Sequence, residues 1–140
     1  MNVAEIKSEV MFQTNNDEDD LGDFLPWVMD YINEGYDRLV YAFVNQHVSS
    51  DNEEYPFLKV DKAQPNLPEF VHRYIADYAT YLVYRNGNVQ KQNRGQKYLE
   101  RFLEVESQLK NMTDDEKAAL TGDENFKTVK YGKKFINIPW

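Results

Sequence analysis

Residues 21–46 read LGDFLPWVMDYINEGYDRLVYAFVNQ, and the fold class turns on them. Leu21, Leu25, Val28, Ile32, Leu39 and Phe43 trace one stripe at helical spacing, the pattern that lines a single face of an α-helix. The pattern predicts a helix from about Leu21 or Asp23 to Gln46. Pro26 falls in its opening turn, where the amide it lacks has no intrahelical partner. Gly35 continues the apolar stripe, which suits either the close approach of another helix or a simple flexible spot.

Outward from this helix the chain repeats the same grammar. Upstream, Asn2 can cap a short first helix whose apolar residues are Val3, Ile6 and Val10. Asn15 to Asp20 then form an acidic turn, and carboxylates gathered before a helix are favoured by its dipole. Downstream, Val48 to Pro65 reads as a long connection, with Tyr55, Phe57, Leu58 and Val60 expected to pin it to the core. Asn66 is the expected cap of a third helix, Leu67 to Tyr84, which carries Val71, Tyr74, Tyr78 and Leu82 on one stripe and ends at Asn86-Gly87-Asn88. A fourth helix is clear from Gln96 to Lys110, with Tyr98, Phe102, Val105 and Leu109 on its stripe. Val89 to Gly95 fits either its first turn or a continued loop. Thr113-Asp114-Asp115-Glu116 is a capping box that opens a short fifth helix ended by Gly122. Beyond Gly122 the residues turn β-branched and aromatic, as in a strand or an extended arm. The expected fold is all-α: a four-helix bundle-like domain with a short fifth helix over residues 1–122, and an extended or β-like C-terminal arm over 123–140.

At 140 residues, 41% of them hydrophobic, the chain suits one compact domain. Its net charge of −8 argues against a protein that coats nucleic acid, since such domains neutralise phosphates with an excess of Lys and Arg. The charge is uneven. Phe126 to Trp140 holds Lys127, Lys130, Lys133 and Lys134 and no acid, so a basic tail follows an acidic body, an asymmetry that can steer association. Cysteine is absent, which excludes disulfides and thiolate chemistry and fits a reducing interior. No secretory signal or membrane-spanning run is expected.

Chemical motifs are wanting. Asp17, Asp19 and Gly22 match the first, third and sixth positions of an EF-hand loop, but Leu21 stands at the fifth and Val28 where the bidentate Glu belongs. His47 and His72 lack the spacing that puts two ligands on one helical face, and His47 is expected at the dipole-favoured end of the second helix. No phosphate loop, nucleophile elbow or zinc pattern occurs, so the expectation is no catalytic residue, cofactor or metal. From Tyr78 to Leu99 there is no acid, while Arg85, Lys91, Arg94 and Lys97 are present as candidate DNA-facing residues. The competing account is structural: Arg85 closes the third helix, and Lys97 and Arg101 pair with Glu100, Glu104 and their neighbours.

Three stretches resemble the head-to-tail connector, or adaptor, subunits of tailed bacteriophages. They are Val3 to Val10 with the acidic turn after it, Phe24 to Gly35 with its aromatic-Ile-Asn segment, and the Ala/Tyr-rich run Ile75 to Leu82 followed by a polar turn and a long helix. The resemblance spans about residues 3 to 110. It implies a structural virion protein with no enzymatic step, made in the host cytoplasm and placed at the head-to-tail interface. Such subunits form rings, commonly of twelve copies, between the portal protein and the tail or stopper protein, around a passage for genome DNA. They often grip the portal with a C-terminal arm, which makes Phe126, Val129, Tyr131, Lys133, Lys134, Phe135, Ile136, Ile138 and Trp140 the expected contacts with the portal or a neighbouring subunit, folding back on the chain's own bundle being the other way to bury them. The alternative kept beside it is a monomeric acidic helical binding protein, a regulator or inhibitor that mimics DNA.

Overall fold

The computed structural model describes residues 1–14, 25–86 and 89–121, with the side chain of Leu25 left out. Among the described residues the regular elements are helical: α1 (Val3–Gln13), α2 (Leu25–Val44), a 3₁₀ turn (Glu69–Val71), α3 (His72–Arg85), α4 (Val89–Asn111) and α5 (Asp114–Thr121). No helix among them is long and apolar enough to cross a membrane. The expected arm and the acidic turn with its EF-hand-like residues lie outside the described residues.

α3 occupies the middle and packs against α1, α2 and α4. It buries residues on nearly every side, from Ile75, Ala79 and Leu82 to Ala76, Val83 and Tyr84, which is how a helix enclosed by neighbours differs from one with a single wet face. Val3, Ile6 and Val10 of α1 and Val28, Ile32, Leu39 and Phe43 of α2 are fully or almost fully buried, as their spacing predicts, and so are Phe102 and Leu109 of α4. Tyr36, absent from the expected stripe, is also buried, because its hydroxyl finds a partner in the Asn66 amide at 2.9 Å. Tyr74 is a correction: it is only partly buried, and Ile75 takes the inward position.

Boundaries shift for identifiable reasons. α2 stops at Val44 because Asn45 takes a left-handed conformation (φ 62°), one that Asn tolerates and that ends a helix. α3 cannot begin at Leu67, since a residue before proline is pushed out of helical geometry and Pro68 follows. Asn66 is accordingly no cap; its side-chain amide donates to the Glu54 carbonyl at 3.0 Å. α4 runs unbroken from Val89, so the polar stretch to Gly95 is helix. The capping box of Thr113 with Glu116 forms as read, and Asn2, expected as a cap, makes a second box with Glu5.

The long connection is fixed by polar contacts more than by its apolar residues. Tyr55 and Leu58 are buried, but Phe57 and Val60 point outward. Asn33 on α2 receives the Leu58 amide at 2.8 Å and donates to the Leu58 carbonyl at 2.9 Å. The carbonyls of Ala63 and Asp61 accept the amides of Val3 and Ala4, donors that the first turn of α1 cannot satisfy internally.

Two glycines let the helices close in. A Cβ on Gly35 would lie 3.2 Å from the Cβ of Tyr78, and one on Gly95 would lie 2.8 Å from the Cβ of Tyr84. The second distance is too short for any real side chain. Gly95→Ala should therefore destabilise the fold by about 1–3 kcal/mol through overpacking, despite the higher helix propensity of Ala. Urea unfolding checks this, and an equal or higher midpoint in the variant would show that α3 and α4 can separate at no loss.

Candidate functional site

Three polar features stand out, and the first is internal. Asp77 lies on α3 with no exposed surface, facing α1 and α4. Its Oδ1 accepts from Gln13 Nε2 at 2.8 Å and from Arg101 Nη2 at 3.1 Å, while Oδ2 has no hydrogen-bond partner among the described residues. Gln13 is itself held by the Thr80 hydroxyl, which donates to its Oε1 at 2.6 Å, and by the Tyr84 hydroxyl, which donates to its backbone carbonyl at 3.1 Å. Burial pushes the Asp77 carboxyl above the usual carboxylate range, and the contacts with Gln13 and Arg101 offset this only in part. A carboxyl of this kind can act as a proton donor or acceptor. Gln13 Nε2 also donates to Glu9 Oε2 at 3.2 Å, and the whole network ties α1 to α3 and α4.

The second feature joins α2 to α4. Arg38 makes a two-pronged bond to Glu106, Nε to Oε2 at 2.9 Å and Nη2 to Oε1 at 2.8 Å, with its guanidinium 5.3 Å from the ring centres of both Tyr78 and Phe102. A flat cation between two rings and a carboxylate is a geometry Lys could not reproduce. Close by in the chain, Lys117 of α5 buries its ammonium and donates to the Phe43 carbonyl at 2.7 Å, in the last turn of α2 where cations are favoured.

The third feature is open to solvent. A groove of about 610 Å³ lies between α2 and the connection, lined on the helix side by Asp30, Asn33, Glu34 and Asp37 and on the other by Phe57, Leu58 and Lys59. Asp37 is partly satisfied within the chain: its Oδ1 accepts the Val48 amide at 2.8 Å and stands 3.1 Å from His47 Nδ1. His47 also stacks on Tyr41, with ring centres 4.7 Å apart. Its position is thus fixed by Asp37 and Tyr41, two residues that helical-end reasoning did not single out.

The candidate DNA-facing residues fall at the corner where α3 hands over to α4, and all four are exposed. Arg85 closes α3 and stands 5.9 Å from the Tyr81 ring centre, and Lys97 lies 5.0 Å from that of Tyr98. Arg101 was expected on Glu100 and Glu104; it reaches across to Asp77 instead, because a buried carboxylate is the stronger attractor. His72 is buried with Nε2 2.8 Å from the Leu67 carbonyl, a core histidine. Among the described residues no three His, Asp or Glu side chains converge as a metal site would require. Phe126, Val129, Tyr131, Lys133, Lys134, Phe135, Ile136, Ile138 and Trp140 lie outside the described residues. Comparison with protein-family models, curated proteins and solved structures found no match to this chain.

Asp77 supplies a test. A carboxyl held above its ordinary range keeps its proton in the folded chain at a pH where the unfolded chain has lost it. The folded state then binds more protons, and stability falls as pH rises from the ordinary Asp range through the raised value. Asp77→Asn cannot ionise and escapes that fall. The urea midpoint of the variant, relative to the parent, should rise between about pH 4 and about pH 7. A difference that is flat or that declines would mean that Arg101 and Gln13 outweigh burial at this carboxyl.

Proposed function

We propose that this chain is a structural virion protein, a head-to-tail connector subunit. In this reading, copies join as a ring, dodecameric in the commonest form, between the portal protein and the downstream tail or stopper protein. The ring lines a passage for genome DNA without reading its sequence, and it carries out no catalytic step. Residues 1–122 act as a four-helix bundle with a short fifth helix, and residues 123–140 as the docking arm. Assembly takes place in the host cytoplasm, and the finished ring belongs to the virion.

The reading is supported by where the connector-like stretches fall. Val3 to Val10 lies on α1, the described part of Phe24 to Gly35 on the first half of α2, and Ile75 to Leu82 on α3, and these are elements that pack on one another through α3. Exposed aromatics add to it. Phe12 is 80% exposed and Trp27 53%, which gives neighbouring copies apolar surface to cover. The carboxylate row Asp30, Glu34 and Asp37 favours a second reading, a monomeric acidic binding protein whose carboxylates stand in for the phosphates of DNA.

Mass in solution with and without a portal separates the two: rings or portal-dependent assembly support the connector, and a stable monomer that binds a DNA-handling enzyme supports the mimic. Deleting Phe135 to Trp140 should leave the far-UV helical signal and the thermal midpoint nearly unchanged while abolishing portal attachment. Normal attachment by the truncated chain, or its unfolding, would remove the arm as the docking element.

A further inference from the structure

The acidic groove on α2 is half of a charge pattern whose other half lies beyond α5 in the sequence. Asp30, Glu34 and Asp37 recur every three or four residues, so they share one face of the helix and span about 10 Å along it. Asp37 is engaged with Val48 and His47 and Glu34 is hydrogen-bonded by the Tyr78 side chain, whereas Asp30 makes no ion pair among the described residues. Across the groove, Phe57 is 42% exposed, an aromatic ring that its own connection does not cover. Such a cleft suits an occupant that is cationic and apolar at once.

One segment of the chain has that composition. Phe126 to Trp140 carries Lys127, Lys130, Lys133 and Lys134, no acid, and aromatic or β-branched residues between them. In an extended chain Lys130 and Lys134 point to one side and stand about 13 Å apart, so a single strand can present two ammonium groups to the helix.

The groove is within the reach of the chain that follows α5. Leu120 and Thr121, at the end of α5, line a cleft together with Glu54 and Tyr55 of the connection. Tyr55 is two residues from Phe57, a separation of at most about 7 Å. From Thr121 to Lys127 the chain can reach about 20 Å. α5 is held in place by the buried Lys117 at the Phe43 end of α2, and from there Glu34 and Asp30 lie about 14–20 Å back along the helix.

We propose that the groove between α2 and the connection is the seat of the chain's own basic segment, Phe126 to Trp140, held within one molecule. The lysines sit over Asp30 and Glu34, and the apolar residues cover Phe57. Nothing in this seat requires a portal or a ring, and a partner that takes the segment must first displace it from the acids. Contact between exposed charges makes the seat weaken as salt rises.

Cysteine is absent, so a single Lys59→Cys substitution at the groove rim gives one attachment point for a nitroxide spin label. In the ¹⁵N-labelled full chain, amides from residue 127 onward should lose most of their intensity relative to the reduced label. The loss should persist when doubly labelled chains are diluted in an excess of unlabelled, unmodified chain. In the Asp30→Asn/Glu34→Gln background, with the circular dichroism spectrum unchanged, the intensities should return. Amides that stay sharp throughout overturn the seat. Broadening that vanishes on dilution places the segment on a second copy and overturns it equally, and broadening untouched by the double substitution overturns the role of the acids. Portal attachment is not measured in any arm, so failure of the connector reading leaves these outcomes unchanged.

Discussion

Where α4 crosses α3, a methyl group on Gly95 would stand 2.8 Å from the Tyr84 Cβ, and much of the structure follows from that lack of room. Backbones brought this close squeeze water from between the helices. Gly35 does the same on the α2 side, against Tyr78. With α1 on a further side, α3 loses contact with solvent along most of its length, and any polar group it carries inward must find partners in the protein. Asp77 and Thr80 are such groups. The Gln13 side chain meets both, accepting from one and donating to the other, so a single amide links the end of α1 to two successive turns of α3.

The same enclosure explains why charged side chains here behave as parts of the scaffold. Arg38, Arg101 and Lys117 each reach a buried or half-buried acceptor on a different helix, and each thereby joins a separate pair of elements: α2 with α4, α4 with α3, and α5 with α2. Breaking one of these contacts would leave its partner desolvated, which is costlier than the contact is favourable. The acids of the groove are of another kind. Asp30 faces water and attracts over distance, while Asp37 spends part of its capacity on the Val48 amide and His47.

Helical periodicity made the core of α1, α2 and α4 legible, since Ile6, Ile32, Phe102 and their neighbours repeat on one face. It served α3 less well. A helix buried on nearly all sides has no preferred stripe, so Tyr74 and Ile75 could not be ranked by spacing alone. Gly35 was readable as a close approach because it continued an apolar row; Gly95, in a polar stretch, gave no such sign. The connection misled for a different reason. Phe57 and Val60 are apolar and lie close in sequence to the buried Tyr55 and Leu58, but a segment without regular structure has no period to say which side chains turn inward. Asp77 was invisible as a site residue because its environment comes from Gln13 and Arg101, far away in the chain. The groove escaped for the same cause: its acids are adjacent on α2, while the opposing wall arrives through the fold.

Asn33 holds the long connection by exchanging two hydrogen bonds with the backbone of Leu58, as a neighbouring β-strand residue would. One side chain thus stands in for a strand. The rung acts with the bonds that Asp61 and Ala63 accept from α1 and the one that Tyr55 accepts from the Ser49 amide, so the connection is pinned at separate points with no ladder to keep in register. A change of length between two such pins would be absorbed there, without shifting the wall that Phe57 and Leu58 present to α2. A tether of this design separates the shape of the surface from the length of the chain that forms it, and leaves the surface able to diversify while the helices stay as they are.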